Sequence, residues 1–164
     1  METAQKLDTK AIIAGWTHAM TDMYCKDLKA MTDEQFVCAQ PGKARSASAL
    51  TADALSMAIY ATNLLTDPST EFQMEADMNR LVGEMTTIEE AVRVVSETGA
   101  ALSQAIGSAS DEKLAEIMTP PWGGPSMPMF LFVNIAANHL WYHDGQINFI
   151  QAMNGDEAVH WMDQ

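Results

Sequence analysis

The sequence predicts an all-α protein, a four-helix bundle with at least one long crossover connection. Apolar residues recur at three- and four-residue spacing along four long segments, whereas few runs alternate and β-branched residues are scattered. The last segment alone would make a helix about 40 Å long, which suits a bundle better than a small mixed fold. The chain of 164 residues is the size of one domain, so we expect residues 1–164 to form a single helical unit.

The first two helices are bounded by polar and helix-breaking residues. The first is predicted over residues 3–30, and an acidic turn and a Pro-Gly pair follow it. Its expected buried stripe consists of Ile12, Trp16, Ala19, Met20 and Met23. The second helix begins at Ser46 or Ser48, either of which can cap it, and ends near Thr66.

The third helix starts at a capping box. A polar connection over residues 67–84, with a short helix near residues 75–82, leads to it. Thr87 and Glu90 form a T-x-x-E pattern, in which the hydroxyl and the carboxylate each accept from a backbone N–H at the helix start. This helix is therefore predicted from Thr87 to about Ile106.

The fourth helix is the longest. A short helical turn over residues 111–118 and a Pro/Gly-rich loop over residues 120–125 precede it. We predict that it opens near Ser126 and runs to about Met153, because the Asn-Gly pair that follows is a strong stop signal in which Gly supplies the left-handed cap.

The charge of the chain excludes several kinds of partner. Asp and Glu number 22 against 9 Lys plus Arg, a net charge of −13, and residues 114–164 contain no Lys or Arg. Nucleic-acid binding requires a basic surface, because affinity comes from cations that displace counterions. Docking on an anionic membrane has the same requirement. We therefore expect neither a nucleic-acid nor a membrane partner.

Other features favour a cytoplasmic protein. Cys25 and Cys38 are too far apart for a C-x-x-C motif and are expected to be reduced thiols. The first ten residues contain no apolar signal-peptide core. Residues 117–143 lack charged side chains, but Pro and Gly interrupt them, which predicts a buried helix rather than a membrane span.

The strongest functional signal lies in the fourth helix. His139 and His143 are four residues apart, so both imidazoles project from one helical face and can share a metal ion. Gln146 continues that face one turn later. The alternative is a pair of histidines that neighbouring hydrogen bonds satisfy without a metal.

The H-x-x-x-H-x-G-Q pattern over residues 139–146, with a W-G-G-x-x-x-P loop before the helix, resembles the DinB/YfiT-like superfamily. This resemblance implies a DinB-like four-helix bundle over the whole chain. It also implies a divalent metal (zinc, nickel or iron) on three histidines, two from the last helix and one from the second. Members of that family include thiol-dependent transferases and isomerases, in which the metal lowers the pKa of a thiol.

The chain departs from the family pattern at the first ligand. The family has R-S-x-x-x-L-x-x-H on the second helix, and here the run that starts at Arg45 reaches Asp53 where the histidine is expected. Two histidines and one carboxylate are a competent ligand set, so one hypothesis is a triad of Asp53, His139 and His143. The other is a site that has lost its metal. His18 of the first helix is an alternative third ligand.

Several functions follow as expectations. One is a metal-dependent enzyme, either a transferase that acts on a thiol or another small molecule, or a hydrolase-like enzyme. In either case Tyr142 or Gln146 orients a bound water or the substrate. Another is a catalytically silent helical binding or stress-associated protein. A third is a structural homodimer, for which Trp141 beside Tyr142 is a plausible surface anchor. The scarcity of Lys and Arg counts mildly against an anionic substrate.

Overall fold

The computed structural model describes residues 8–67 and 69–162, so the predicted start of the first helix near residue 3 lies outside the described residues. In chain order the helices are α1 (Thr9–Lys29), α2 (Asp33–Val37), α3 (Ala47–Thr66), α4 (Met74–Glu84), α5 (Ile88–Ser108), α6 (Asp111–Ala115) and α7 (Met129–Met153). The long helices α1 and α3 each pack against α5 and α7, so the order around the bundle is α1–α5–α3–α7. The predicted all-α four-helix bundle is confirmed, and α1 and α3 lie diagonally across it.

The helix caps agree with the sequence signals. Ser46 caps α3, with its hydroxyl accepting from the Ala49 N–H at 3.2 Å. Thr87 and Glu90 form the capping box that starts α5. The connection between α3 and α5 contains α4, which confirms the short helix predicted near residues 75–82.

The start of α7 differs from the prediction. Two short strands, β1 (Ile117–Met118) and β2 (Met127–Pro128), pair antiparallel across the loop between α6 and α7. Pro128 has an extended backbone, so α7 begins at Met129 rather than near Ser126. Within residues 8–67 and 69–162, none of the helices could cross a membrane.

The buried face of α1 is also not the predicted stripe. Ile12 is 55% exposed, and Trp16 and Ala19 are exposed too, while Met20 is buried and Met23 half-buried. The buried residues of α1 are Ile13, Thr17, Met20, Thr21, Tyr24, Cys25, Asp27 and Leu28. The prediction was wrong because it counted apolar side chains alone. Two threonines on the true face donate their hydroxyls to carbonyls one turn earlier, which satisfies them without water.

Close packing of small residues sets the bundle spacing. A Cβ atom at Gly99 of α5 would stand 2.1 Å from Thr21 Oγ1, so a side chain there would push α1 and α5 apart. Most of the 20 residues of α3 are buried, and many of them are Ala, Ser or Thr. α4, α5 and α7 can therefore all pack closely on α3, which places Asp53 inside the bundle.

Candidate metal centre

Packing of α3 on α7 brings three metal-ligating side chains together. Asp53 lies on α3, and His139 and His143 lie one turn apart on α7. One nitrogen from each imidazole and one oxygen of Asp53 all lie within 4.8 Å of one another. Asp53 and His143 are buried and His139 is half-buried. These are the three residues that the sequence grouped.

The two imidazoles face each other through their Nε2 atoms, which are 3.1 Å apart. His143 Nε2 also lies 3.4 Å from Asp53 Oδ2. On the other side of this ring, Nδ1 lies 2.7 Å from Gln146 Oε1, an oxygen that can only accept. With its proton on Nδ1, His143 offers the lone pair of Nε2 to a metal ion, whereas with a proton on Nε2 it can donate towards Asp53.

Arg45, in the loop before α3, keeps Asp53 ionised. Its guanidinium donates to Asp53 Oδ2, while Asp53 Oδ1 has no hydrogen-bond partner among the described residues. Burial by itself would raise the pKa of Asp53, but the contacts with His143 and Arg45 outweigh burial and lower this pKa to about 2. Asp53 is therefore a carboxylate at neutral pH, which is the form that binds metals.

Burial and the charge of the neighbouring His143 lower the pKa of His139, so His139 is neutral at pH 7. Its Nδ1 is buried and has no hydrogen-bond partner among the described residues. The ring of Tyr142 lies nearly parallel to that of His139, with the centroids 6.1 Å apart. Tyr142 is 63% exposed and thus bounds the cluster on the solvent side.

This donor set fits a divalent metal ion. Two imidazoles and one carboxylate suit zinc and non-haem iron. Donor atoms held by one zinc ion stand about 3.0–3.6 Å apart, and the Nε2–Nε2 and Nε2–Oδ2 distances here are 3.1 and 3.4 Å. Asp53 Oδ1 is a buried oxygen with unused bonding capacity. Three protein ligands also leave coordination positions open for water or a substrate.

A family model of the DinB superfamily matches residues 16–147. The chain belongs to the DinB superfamily. Two solved structures are similar in fold: the mycothiol-dependent maleylpyruvate isomerase and a histidine-to-alanine mutant of that enzyme. Each has a TM-score of 0.68 and 16% identity to this chain, over 90% of this chain and 63% of the other. The chain thus spans less than two thirds of the length of those structures. No curated protein matches the chain significantly.

The other histidines of this DinB-superfamily chain lie away from the cluster. His18 is on the exposed side of α1, where its Nε2 lies 3.5 Å from Asp22 Oδ2. The structure therefore does not bring His18 to the position of a third ligand. His160 lies beyond α7 in a 3₁₀ helix over residues 160–162, with its Nε2 2.7 Å from Asp156 Oδ2.

A second buried polar cluster lies where α7 faces α1. Asp144 of α7 and Asp27 of α1 are 3% and 0% exposed. Asn148 donates to Asp27 Oδ2 at 2.8 Å, and Gln151 donates to the Asp27 carbonyl at 2.7 Å. Burial and the neighbouring Asp27 raise the pKa of Asp144 to about 8. Asp144 therefore holds a proton at neutral pH.

The sequence did not predict either the Arg45–Asp53 ion pair or the Asp27–Asp144 pair. A signal existed for the first, because Arg45 belongs to the same family pattern as Asp53 and lies eight residues before it. None existed for the second, since Asp27 and Asp144 lie on different helices that only the tertiary packing brings together.

Proposed function

We propose that Asp53, His139 and His143 hold one divalent metal ion, either zinc, nickel or iron. On this proposal the chain is a metal-dependent enzyme that acts on a small molecule by thiol transfer or by a hydrolase-like reaction. The observation that carries it is the convergence of three buried or half-buried donor groups within 4.8 Å. The similar isomerase is by its name dependent on a thiol, which supports the thiol form of the proposal.

A bound divalent ion supplies Lewis acidity, which lowers the pKa of a thiol or of water at an open position. The residues of the chain prepare that position. Gln146 holds His143 in the tautomer whose Nε2 is free. Arg45 keeps Asp53 ionised, and the exposed ring of Tyr142 bounds the space next to His139.

The alternative is a catalytically silent binding protein whose polar centre needs no metal. The Arg45–Asp53 ion pair favours this alternative, because the guanidinium already compensates the charge of the carboxylate. The contact between His139 and His143 can likewise be an ordinary hydrogen bond. The metal content of the protein separates the two proposals.

The deciding experiment is elemental analysis of protein purified without chelator. We expect about one zinc, nickel or iron per chain in the wild type, since a three-ligand site saturates at one ion. Asp53→Ala should lose most of this metal. His18→Ala is the matched control, because it removes an exposed histidine and should keep the metal.

Absence of stoichiometric metal in the wild type, even after incubation with each ion and removal of the excess, would overturn the metal proposal in favour of the silent protein. Full metal in Asp53→Ala would remove Asp53 from the ligand set. An enzyme is then distinguished from a metal-binding scaffold by thiol transfer from cysteine to 1-chloro-2,4-dinitrobenzene. In that reaction a C–S bond forms, chloride leaves and the thiol proton passes to buffer. We expect the metal-loaded wild type, but not Asp53→Ala, to accelerate it.

We also propose that the chain forms a homodimer through the outer face of α7. Leu131, Ile135, Tyr142 and Phe149 follow one another along this face at coiled-coil spacing, and each is at least 40% exposed. α7 contains one Asp and no Glu, Lys or Arg, and that Asp is the buried Asp144. The face is therefore uncharged, and these four exposed side chains make much of it apolar.

A second copy suits this face better than a charged partner does. Two chains of net charge −13 repel each other, and contact through an uncharged surface avoids adding close pairs of like charges to that repulsion. Ile135 and Phe149 each lie seven residues from Tyr142, so an antiparallel pair with Tyr142 on the two-fold axis sets Ile135 against Phe149 twice. At these exposed fractions the four side chains offer on the order of 400 Å² per chain, so a dimer interface of standard size also includes the residues that flank them.

The oligomeric state tests this proposal directly. We expect sedimentation equilibrium of the wild type to give twice the chain mass of 17.9 kDa. Ile135→Glu should give the monomer, because it places a charge in the apolar face. Val82→Glu on α4, at a side chain equally exposed, should remain dimeric. A monomeric wild type, or a dimeric Ile135→Glu, contradicts the proposed interface.

The composition and the cysteines support two further proposals, on the class of substrate and on the cellular compartment. We propose a small-molecule substrate rather than a nucleic acid, because the chain has only nine Lys and Arg. We propose a reducing, cytoplasmic compartment, which the two free cysteines, Cys25 and Cys38, support.

A further inference from the structure

A cleft of about 410 Å³ lies beside the metal centre, between the loop that precedes α3 and the last turns of α7. The loop contributes Lys43 and Arg45, and α7 contributes Gln146, Ile150 and Met153. The volume is within the range that small-molecule sites occupy, about 300–1,000 Å³.

Two of the cleft residues also contact the metal centre. Arg45 donates to Asp53, and Gln146 accepts from His143. Both side chains line the cleft with their remaining surface. A molecule in the cleft therefore lies one side chain away from the proposed metal ligands.

The charge of the cleft is opposite to that of the protein as a whole. None of the described residues that line it is acidic, and two of the nine basic residues of the chain lie there. Lys43 is exposed and has no ion pair among the described residues. Arg45 uses one N–H on Asp53 and its side chain is 40% exposed, so further N–H donors are free for a second carboxylate.

Apolar side chains line the rest of the cleft. Leu50 and Ile150 are buried side chains at its wall, and Met153 is 48% exposed next to them. A ligand that satisfies both parts carries one negative charge and an aliphatic portion. The acidic composition made an anionic substrate a poor fit for the chain as a whole, but Lys43 and Arg45 give this cleft a local positive charge.

We propose that this cleft binds a small organic carboxylate, with the carboxylate on Lys43 and Arg45 and the aliphatic portion against Ile150 and Met153. This proposal names a substrate class for the enzyme under the proposed function, and it depends on that function only for the reaction. Binding of the carboxylate needs no metal, because it uses Lys43 and Arg45. The inference can therefore be tested on protein with and without metal.

The experiment compares hexanoate with its neutral analogue hexanamide, by isothermal titration calorimetry and by NMR chemical shifts of the chain. Wild-type protein treated with chelator should bind hexanoate at least fivefold more tightly than hexanamide, since only the carboxylate pairs with the two cations. The largest shifts are expected at the backbone amides of Lys43, Gln146 and Met153.

Lys43→Gln should weaken hexanoate binding about three- to tenfold and leave hexanamide binding unchanged. Lys113→Gln is the matched control. It also removes one lysine charge, but from α6, beside the other end of α7, where Lys113 pairs with Glu116. It should leave both affinities as in the wild type.

Equal binding of hexanoate and hexanamide, equal effects of Lys43→Gln and Lys113→Gln, or no detectable binding of hexanoate would each overturn the cleft proposal. Hexanoate binding that requires added zinc and is unchanged by Lys43→Gln would also overturn the cleft proposal, while it would support the metal centre. The reverse result, binding that depends on Lys43 in a protein that retains no metal, supports the cleft and counts against the proposed metal enzyme.

Discussion

His143 and Asp144 are neighbours on α7, yet they belong to two buried polar clusters with opposite electrostatics. His143 faces α3, where its contact and that of Arg45 outweigh burial and lower the pKa of the Asp53 carboxyl group to about 2. Asp144 faces α1, where a second carboxyl group, that of Asp27, raises the pKa of Asp144 to about 8.

The difference shows what makes a buried carboxyl group available for chemistry. Asp53 and Asp144 are both buried, and burial alone would raise the pKa of each, so the neighbouring groups decide the direction of the shift. The guanidinium of Arg45 helps to keep Asp53 ionised, and Arg45 also lines the neighbouring cleft. Without such neighbours, the Asp27–Asp144 pair retains a proton and can act as a structural contact between α1 and α7.

The largest expected effect is on zinc affinity, when single substitutions at His143 and at Asp144 are compared. We expect His143→Ala to lower zinc affinity by at least about 100-fold, more than the loss of an outer hydrogen-bond partner costs. Asp144→Asn should change it less than about threefold, because Asp144 faces another helix. Competition with a chromophoric chelator measures both. Similar losses in the two variants would show that the clusters are not independent.

The acid pair should make stability fall as pH rises. An ordinary aspartate has a pKa near 3.8, whereas that of Asp144 is about 8 in the folded protein. Between these values the unfolded chain has released a proton that the folded chain still holds, so raising the pH favours unfolding. We therefore expect urea denaturation to show lower stability at pH 8 than at pH 5.

Asp144→Asn should remove much of this dependence and stabilise the protein at pH 8 by on the order of 2 kcal/mol, since no carboxyl group at position 144 remains to ionise. Asp111→Asn, at a side chain that is 81% exposed, serves as the control and should leave the pH dependence unchanged. A pH dependence of Asp144→Asn that equals that of the wild type would contradict the raised pKa of Asp144.

A smaller effect is expected from Gln146, which contacts His143 without being a proposed ligand. Gln146→Leu should weaken zinc binding about tenfold, because His143 loses the acceptor that holds its Nδ1–H. Gln146→Glu retains an acceptor and should restore affinity. Asn148→Leu, which removes the amide donor to Asp27, should leave zinc affinity unchanged. Failure of Gln146→Glu to bind better than Gln146→Leu would assign Gln146 a packing role only.

Much of the fold could be predicted from local patterns. The capping residues Ser46 and Thr87 mark the starts of α3 and α5, because a cap is a contact between residues three positions apart. The i, i+4 spacing of His139 and His143 likewise placed both imidazoles on one face of α7. In contrast, the buried face of α1 was predicted one residue out of register, since Ile12 and Trp16 are as apolar as the residues that are buried.

The sequence by itself determined the helices, the histidine pair and the uncharged character of α7, because each depends on residues within a turn or two of one another. It raised Asp53 as a ligand, but only the packing of α3 on α7 brought that carboxylate to the imidazoles. The structure showed that Arg45 pairs with Asp53, and tertiary packing alone decided that Asp27 meets Asp144. The reason is physical: the pKa of a carboxyl group depends on which charges the neighbouring helices place beside it, and residue spacing along one helix does not specify them.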